Sequence, residues 1–448
     1  MHNIPKMARS VIDGFAVAFS RPTWTRFYFL MFAAILTTGR RTISNILRTM
    51  GRATAGHASS YHRVFSCRRW SSWRLARTLI ACILQHWITE GAVQLVGDDT
   101  VDEHRGKKVY GKACHRDAVR STHSYTAYRW GHKWVVLAIL VKFPFANRPW
   151  ALPVLVALYR SPQWNKRHRR RHKTPAELMR QLLAVVLHWF PGRKFVFAAD
   201  GSYGIHPLAS FVHRHRRRLV LVSHFYSNAN LYAPPPVVRG KKNGRPRKKG
   251  AKLPWPAQVV AKSRRKWISV AWYGGGRRDV AVVTGTGQWY KGGEGLVPVR
   301  WVFVRDLTGT HRDEYFFTTE LTFTPKQIIE TYTGRWSIET TFQEMRAHLG
   351  LDTTRGRTEN TVLRVAPCLF GLYSLVVLLY ACLPAAYRHS FGVQWQGKTH
   401  TTFSDAIGAV RRWLWVEWAF VIHGQNDTFT KLPATLQKIL LYALVQAA

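Results

Sequence analysis

Three carboxylates stand where metal-dependent phosphodiester chemistry could use them. Asp98 follows the short apolar run Val93–Val96, and Asp200 follows the run Lys194–Ala199. Both runs predict β-strands, so each aspartate stands at the carboxyl end of a strand. Glu339 falls in a later predicted helix. Carboxylate oxygens suit Mg²⁺ or Mn²⁺ rather than zinc, and two such ions suit in-line attack on a phosphodiester bond.

The scarcity of acidic residues makes Asp200 distinctive. Between Ala118 and Arg278 the only acidic residues are Glu177 and Asp200. Glu177 follows Thr174 at the third helical position, so a capping box accounts for it. Asp200 has no such local role. An isolated carboxylate in so basic a segment indicates that a metal ion, or alternatively a structural arginine, requires it.

The net charge of +44, from 67 Lys+Arg against 23 Asp+Glu, indicates a polyanionic partner. Self-repulsion of this size is relieved by nucleic acid, whose phosphates release counterions when they are neutralised. An acidic membrane surface or a ribosome-like structural role are the less specific alternatives. With 46% hydrophobic residues, the chain can also bury a sizeable core.

The five cysteines show neither CxxC spacing nor pairing, which indicates a reducing compartment and no zinc module. We find no N-terminal secretion signal. The uncharged stretch Val365–Leu383 is nearly long enough to span a bilayer, but it contains Pro367 and Gly371. We interpret it as a buried core helix and expect no membrane association.

The predicted fold class is α/β, with a mixed sheet at its centre. Three strands are predicted first, at Val93–Val96, Lys133–Lys142 and Trp150–Tyr159. They are followed by a helix at Thr174–Phe190, a strand at Lys194–Ala199, a helix at His206–Arg217 and a strand at Leu219–Phe225. This order is the topology of an RNase H-like core. We assign its first part to residues 91–225 and its second part, after an insertion, to residues 324–390.

Three other regions surround the predicted core. Residues 1–90 read as an α-helical DNA-binding domain in which Arg40 and Arg41 precede a recognition helix, although a bundle with a solvated basic face fits equally well. Residues 226–323 read as a β-rich insertion. It contains Arg245 and Arg247 in an AT-hook-like segment that could also be a charged linker. Residues 391–448 read as a helical C-terminal region.

The predicted helix from Thr324 to about Gly350 carries two faces. At about 100° per residue, one face holds Tyr332, Arg335, Glu339 and Arg346 within roughly 60° of one another. A separate apolar stripe can dock on the sheet and consists of Ile338, Phe342, Met345 and Leu349. The pattern predicts one carboxylate beside the core, flanked by two arginines and a tyrosine.

With these motifs in order, the chain resembles bacterial cut-and-paste insertion-sequence transposases of the DDE class, whose third motif is a Y-R-E-K signature. Asp98 with Thr100 matches a D-x-[S/T] motif, and Asp200 lies in Ala-Ala-Asp-Gly-Ser-Tyr-Gly. The third motif is matched by Tyr332, Arg335, Glu339 and Arg346, with Arg346 where the family has lysine. The likeness covers most of residues 91–385, including an RNase H-like core with a β-strand insertion.

The resemblance implies two Mg²⁺ ions, with Mn²⁺ as a substitute, held by Asp98, Asp200 and Glu339. Asp99 competes with Asp98 as the first ligand. The resemblance further implies cleavage at terminal inverted repeats through hairpin intermediates, then strand transfer by a dimer bound to double-stranded DNA. Such a protein would work in the cytoplasm at the bacterial nucleoid. The residues expected at the DNA are Tyr332, Arg335, Arg346 and Thr100.

In relatives a tryptophan of the insertion stacks on a flipped base, and Trp289 and Trp301 are the candidates here. Two other functions compete with the transposase interpretation. One is a nuclease or resolvase of the same fold that cuts DNA without strand transfer. The other is an inactive or domesticated sequence-specific DNA-binding protein, although the presence of all three carboxylates favours an active enzyme.

Overall fold

The protein is described from a computed structural model that covers residues 5–117, 121–122, 124–236, 247–389 and 396–445. Within these residues the strands form one mixed eleven-stranded sheet. The strands are β1 Val93–Glu103, β2 Ala113–Arg116, β3 Tyr128–Val141, β4 Trp150–Tyr159, β5 Phe195–Ala199, β6 Leu219–His224, β7 Leu231–Tyr232, β8 Lys266–Ala271, β9 Arg277–Lys291, β10 Gly295–Asp306 and β11 Glu314–Thr318.

The α-helices of the described residues precede, flank and follow this sheet. They are α1 Lys6–Gly14, α2 Arg21–Leu36, α3 Ile43–Met50, α4 Ala58–Ser66, α5 Ser72–His86, α6 Pro162–Arg167, α7 Pro175–Trp189, α8 His206–Arg214, α9 Pro256–Lys262, α10 Pro325–Gly334, α11 Ser337–Leu349, α12 Glu359–Cys382, α13 Ala385–His389, α14 Phe403–Leu414, α15 Phe420–Ile422, α16 Asn426–Thr430 and α17 Ala434–Leu444.

The core strands are arranged in the order β4–β3–β1–β5–β6. β1, β3 and β4 pair antiparallel, whereas β5 and β6 run parallel to β1. The parallel strands need crossover connections, which α7 and α8 provide. All five residues of β5 are buried, as expected for a central parallel strand covered on both faces. The RNase H-like prediction for the core is confirmed.

The insertion extends the same sheet. β11 pairs antiparallel with β6, and β10, β9 and β7 follow in order. β7 pairs with the C-terminal part of β9, and β8 pairs with its N-terminal part. β7 to β11 lie between residues 226 and 323, so the predicted β-rich character of this region is confirmed. The sequence did not reveal β11, the strand that joins the insertion to the core.

Helices from the two ends of the chain pack together. The ring of Phe32 in α2 lies 5.3 Å from that of Trp418, and the guanidinium of Arg411 in α14 donates to the carbonyl of Ile35. α12 is long and apolar enough to cross a membrane, yet two-thirds of its most apolar window is buried within the protein. This burial fits the interpretation of Val365–Leu383 as part of a core helix.

The predicted continuous helix over Thr324–Gly350 is wrong at its centre. The chain forms α10 and α11, which are separated by Arg335 and Trp336. Around the junction the backbone bonds run from residue i to i−3, as in Arg335 N to Tyr332 O and Ile338 N to Arg335 O, both 3.0 Å. This tight 3₁₀-type winding separates α10 from α11.

We expect Phe32→Ala to lower the free energy of unfolding by about 3–5 kcal/mol, because a fully buried ring is lost where the two ends of the chain meet. Urea denaturation followed by fluorescence measures the change. Trp267→Ala is the control, since this side chain is 76% exposed and its loss should change stability by about 0.5 kcal/mol or less. Equal losses for the two variants would contradict the packing described for α2.

Candidate active site

The sheet brings Asp98 and Asp200 together. β1 and β5 run parallel, and Gly97 of β1 is paired with Ala199, the last residue of β5. Asp98 follows Gly97 within β1, and Asp200 follows Ala199 at the end of β5. β5 ends at Ala199, whereas β1 continues to Glu103, so Asp98 lies within its strand and not at its carboxyl end as predicted. The parallel register nevertheless places it beside the end of β5, where Asp200 follows.

Strand alternation places Asp98 on the helix-α11 face of the sheet. A Cβ atom on Gly97 would lie 2.5 Å from the methyl group of Met179, so residue 97 faces α7. The side chain of Asp98 points to the opposite face. There its Oδ2 accepts a hydrogen bond of 3.0 Å from Nη1 of Arg335.

Asp99 is engaged on the other face. Its Oδ1 lies 2.9 Å from Nζ of Lys133, and its Oδ2 accepts a hydrogen bond of 3.2 Å from the hydroxyl of Tyr203. Tyr203 is completely buried. The structure therefore places Asp98, rather than the adjacent Asp99, on the same side of the sheet as Glu339.

The guanidinium of Arg335 connects two of the three carboxylates. Nη1 donates to Asp98, and Nη2 donates to Oε1 of Glu339 at 2.7 Å. The arginine side chain is only 10% exposed, whereas that of Glu339 is 40% exposed. Charge-assisted bonds of this kind are stronger than neutral ones, especially when solvent is partly excluded. Asp98 and Glu339 are thus held at the two ends of one cation.

Burial raises the pKa of Asp98 to about 7. The Arg335 cation acts in the opposite direction, while the neighbouring negative charges of Asp200 and Asp99 raise the pKa further. The carboxylates are close enough to repel each other, and one arginine does not neutralise them all. The site therefore favours the approach of additional positive charge.

A tight turn fixes Asp200. Its Oδ1 accepts bonds from the backbone N–H and the hydroxyl of Ser202, at 3.1 and 2.7 Å. The buried hydroxyl of Ser223 on β6 bonds to the carbonyls of both Ala199 and Asp200. The carboxylate therefore leaves the end of β5 in an orientation set by local hydrogen bonds.

Tyr332 lies beneath the site. Its ring is buried and stacks on Phe316, with 4.2 Å between the ring centroids, and the guanidinium of Arg335 lies 5.5 Å from its centre. Burial raises the pKa of its hydroxyl well above the ordinary value. The predicted direct contact between Tyr332 and DNA is not supported by this position, in which the ring supports Arg335.

Thr100 and Arg346 form a separate group farther along β1. The guanidinium of Arg346 donates to the hydroxyl of Thr100 and to the carbonyl of Val101. Thr100 is only 5% exposed, so it faces Arg346 rather than solvent, contrary to its predicted role at the DNA. The Arg346 side chain is 31% exposed and can reach a ligand at the surface.

The remaining predicted DNA contacts lie elsewhere. Arg40 is exposed, but Arg41 is buried and its guanidinium donates to the carbonyls of Gly39 and His348. Arg41 therefore holds α11 at its C-terminal end and is unsuited to a DNA phosphate. Arg247 is exposed, whereas Arg245 lies outside the described residues.

Both tryptophans proposed for base stacking are buried. Trp289 packs against Phe225 and Phe317, and the ring of Trp301 covers Gly285. Neither ring faces solvent. The insertion instead exposes Trp255 and, on β8, Trp267.

Comparisons with known proteins identify the family of the chain. Residues 14–279 match the family model described as DDE superfamily endonuclease, and residues 293–378 match the model described as archaeal putative transposase ISC1217. Among curated proteins none matches the chain. A similar solved structure is a piggyBac transposase synaptic complex with hairpin DNA, with a TM-score of 0.40 and 10% identity over 95% of this chain and 76% of that one.

Asp98→Asn should stabilise the metal-free protein more at pH 8 than at pH 5. The pKa of about 7 in the folded state exceeds the value of about 3.9 expected in an unfolded chain, so Asp98 costs stability as the pH rises from about 4 to 7. The cost is about 1.4 kcal/mol per pH unit, and asparagine removes it. Thermal unfolding at the two pH values measures the difference.

The control for this experiment is Asp427→Asn, which changes an exposed carboxylate far from the site. Its effect on the unfolding temperature should be the same at both pH values. A gain from Asp98→Asn that did not grow with pH would contradict the raised pKa of Asp98.

Proposed function

Because the chain belongs to the DDE superfamily of endonucleases, we propose that it is a transposase that cuts DNA at terminal inverted repeats and joins the 3′ ends to target DNA. The observation that carries the proposal is that Asp98 lies beside the end of β5, where Asp200 follows, and shares the guanidinium of Arg335 with Glu339. The match of residues 293–378 to a transposase model supports transposition over simple cleavage.

The residues present fit divalent metal ions. The pKa of Asp98 is raised partly by Asp200, and a cationic guanidinium already bonds to Asp98 and Glu339, so the cluster attracts positive charge. We propose that Asp98, Asp200 and Glu339 hold two Mg²⁺ ions, for which Mn²⁺ can substitute, because hard oxygen ligands suit these ions. Bound ions would activate the attacking hydroxyl and stabilise the leaving oxygen.

The arginines have different tasks in the proposed reaction. Arg335 orients Asp98 and Glu339 through its two hydrogen bonds, and the stacked rings of Tyr332 and Phe316 hold it in place. Arg346, which is partly exposed and positioned by Thr100, would bind a DNA phosphate through its forked donors. The net charge of +44 supplies the general attraction to double-stranded DNA.

The resemblance to Y-R-E-K transposases extends the proposal to hairpin intermediates and to a homodimer in a synaptic complex, acting in the bacterial cytoplasm at the nucleoid. From their basic sequence patterns we also propose that the helical residues 1–90 and the insertion at 226–323 contact DNA. The exposed side chains of Arg40 and Arg247 are available for such contacts. In place of Trp289 and Trp301, the exposed tryptophans Trp255 and Trp267 of the insertion could meet a base.

Asp98→Asn, Asp200→Asn and Glu339→Gln should each lower the rate of DNA cleavage at least about 100-fold while DNA binding persists, because each variant loses a proposed metal ligand. The substrate is a labelled duplex that carries the inverted repeats flanking the gene, with Mg²⁺ present. Nicking is followed on denaturing gels, and DNA binding by electrophoretic mobility shift.

Asp99→Asn is the matched control for the cleavage experiment. Its carboxylate bonds to Lys133 and Tyr203 on the opposite face, so this variant should still cut. Cleavage by the Asp98→Asn variant at the normal rate would refute the assignment of the first ligand. Repeat binding by the unaltered protein without any cutting would favour the inactive DNA-binding protein.

Strand transfer separates a transposase from a nuclease of the same fold. When the protein is given pre-cleaved repeat ends with free 3′ hydroxyl groups, a supercoiled plasmid and Mg²⁺, we expect the ends to become joined to the plasmid. Sequencing of the junctions detects these products. Efficient nicking of repeat DNA with no joined product would indicate a nuclease and reject the transposase proposal.

A further inference from the structure

A second cluster of ionisable side chains lies near the other end of β1, apart from the three carboxylates. Asp102 and His132 are cross-strand partners on β1 and β3, and His104 follows the end of β1. Asp102 is completely buried, and the two histidines are 1% and 6% exposed. Each residue offers one atom to a group in which all atoms lie within 4.8 Å of one another.

The hydrogen bonds of His132 define its role. Its Nε2 lies 2.9 Å from the carbonyl of Tyr110, which can only accept, so Nε2 carries a proton. Nδ1 then faces Oδ1 of Asp102 at 3.4 Å, and this nitrogen has no hydrogen-bond partner. An unprotonated Nδ1 facing a buried carboxylate is repelled unless a cation lies between them or the ring takes up a second proton.

Asp102 and His104 complete the group. Oδ2 of Asp102 is buried without a hydrogen-bond partner and lies 3.6 Å from Nε2 of His104. The two nitrogen–oxygen separations involve different oxygens of Asp102, and with one atom from each residue the three ligand atoms lie within 4.8 Å of one another. Two ligand atoms that are each about 2.0 Å from a tetrahedral zinc ion lie about 3.3 Å apart. Small rotations of these side chains would therefore bring them to an ion. Oγ1 of Thr354 lies 3.0 Å from Nε2 of His104 and offers a further oxygen.

The space and the backbone around the group are suitable for an ion. A cavity of about 10 Å³ is lined by Asp102, His104, His132 and Thr354, which is room for one small ion or one water molecule. Gly131 makes the close approach of the strands possible. A Cβ atom there would lie 1.6 Å from the carbonyl oxygen of Asp102, so no other residue fits.

We propose that Asp102, His104 and His132 bind a structural Zn²⁺ ion, with Thr354 or a water molecule as the fourth ligand. Two imidazoles and one carboxylate favour zinc over Mg²⁺. The Tyr110 carbonyl is the outer hydrogen-bond partner that metal-bound histidines usually have. The sequence predicted no zinc module because that prediction considered cysteines alone.

The ion would fasten the end of β1 to β3 and to the segment after α11. Thr354 follows Asp352, which lies 3.8 Å from Arg346 and accepts a bond from the backbone of Glu103. The proposed zinc site therefore stabilises the surroundings of Arg346 without contacting the three carboxylates, and it is independent of the proposed DNA chemistry.

The test uses the full-length protein without a histidine tag. The parent carries Asp98→Asn and Glu339→Gln, so that the carboxylate site does not retain metal. After incubation with ZnCl₂ and dialysis against metal-free buffer, mass spectrometry of the metal content should give one zinc per chain. His104→Gln and His132→Gln, each in this parent, should lose the zinc.

His206→Gln is the matched control, because His206 is also buried and its Nε2 also lies near a carbonyl oxygen, that of Trp289. This variant should keep one zinc per chain. A folded parent without zinc, the result expected for a purely imidazolium–carboxylate pair, would overturn the proposal. The proposal would also be overturned if the His132→Gln variant kept as much zinc as the parent and the His206→Gln control.

A second measurement covers the case in which the glutamine variants do not fold. The parent is loaded with Co²⁺ in place of zinc, and its visible absorption is recorded. Tetrahedral coordination by nitrogen and oxygen ligands should give the intense absorption of four-coordinate cobalt. A folded, cobalt-treated parent that showed only the weak spectrum of hydrated Co²⁺ would also overturn the proposal.

Discussion

Mutual repulsion between carboxylates is the constraint around which the centre of this protein is built. The parallel pairing of β1 with β5 forces Asp98 and Asp200 to neighbouring positions, and α11 adds Glu339 from the same side of the sheet. Arg335 offsets part of this repulsion by bonding to two of the three. The tight winding between α10 and α11, the burial of Tyr332 and its stacking on Phe316 all serve to hold that one guanidinium.

The parts of the site that follow from local pattern could be predicted from the sequence. Asp98 and Asp200 end short apolar runs, and the order of strands and helices fixes which runs become neighbours. The helical register with Tyr332, Arg335 and Arg346 singled out Glu339, and the family resemblance then gave it a role. The break at Arg335 was not predicted, because its only local signal is Gly334, and a single glycine is tolerated inside a helix. The winding tightens where Arg335 meets Asp98, a partner 237 positions away in the chain.

Long-range contacts also explain the residues whose roles differ from prediction. Arg41 looks like a surface arginine in sequence, but it caps carbonyls at the end of α11. Thr100 and Trp289 sit on strands whose buried faces are decided by α11, α8 and β11 rather than by their neighbours in the chain. The histidine cluster was equally hidden, since Asp102 and His132 become partners only when β1 pairs with β3.

The pairing of β11 with β6 has a mechanical consequence. Backbone hydrogen bonds run without interruption from β4, through the strands that carry Asp98 and Asp200, to the far strands of the insertion. A flexible tether would let the insertion swing, whereas a shared sheet makes it a stiff arm of the catalytic core. If the proposed function holds, DNA that touched both regions would have to adapt its own curvature to a fixed template, and bending energy in the duplex would become part of substrate selection.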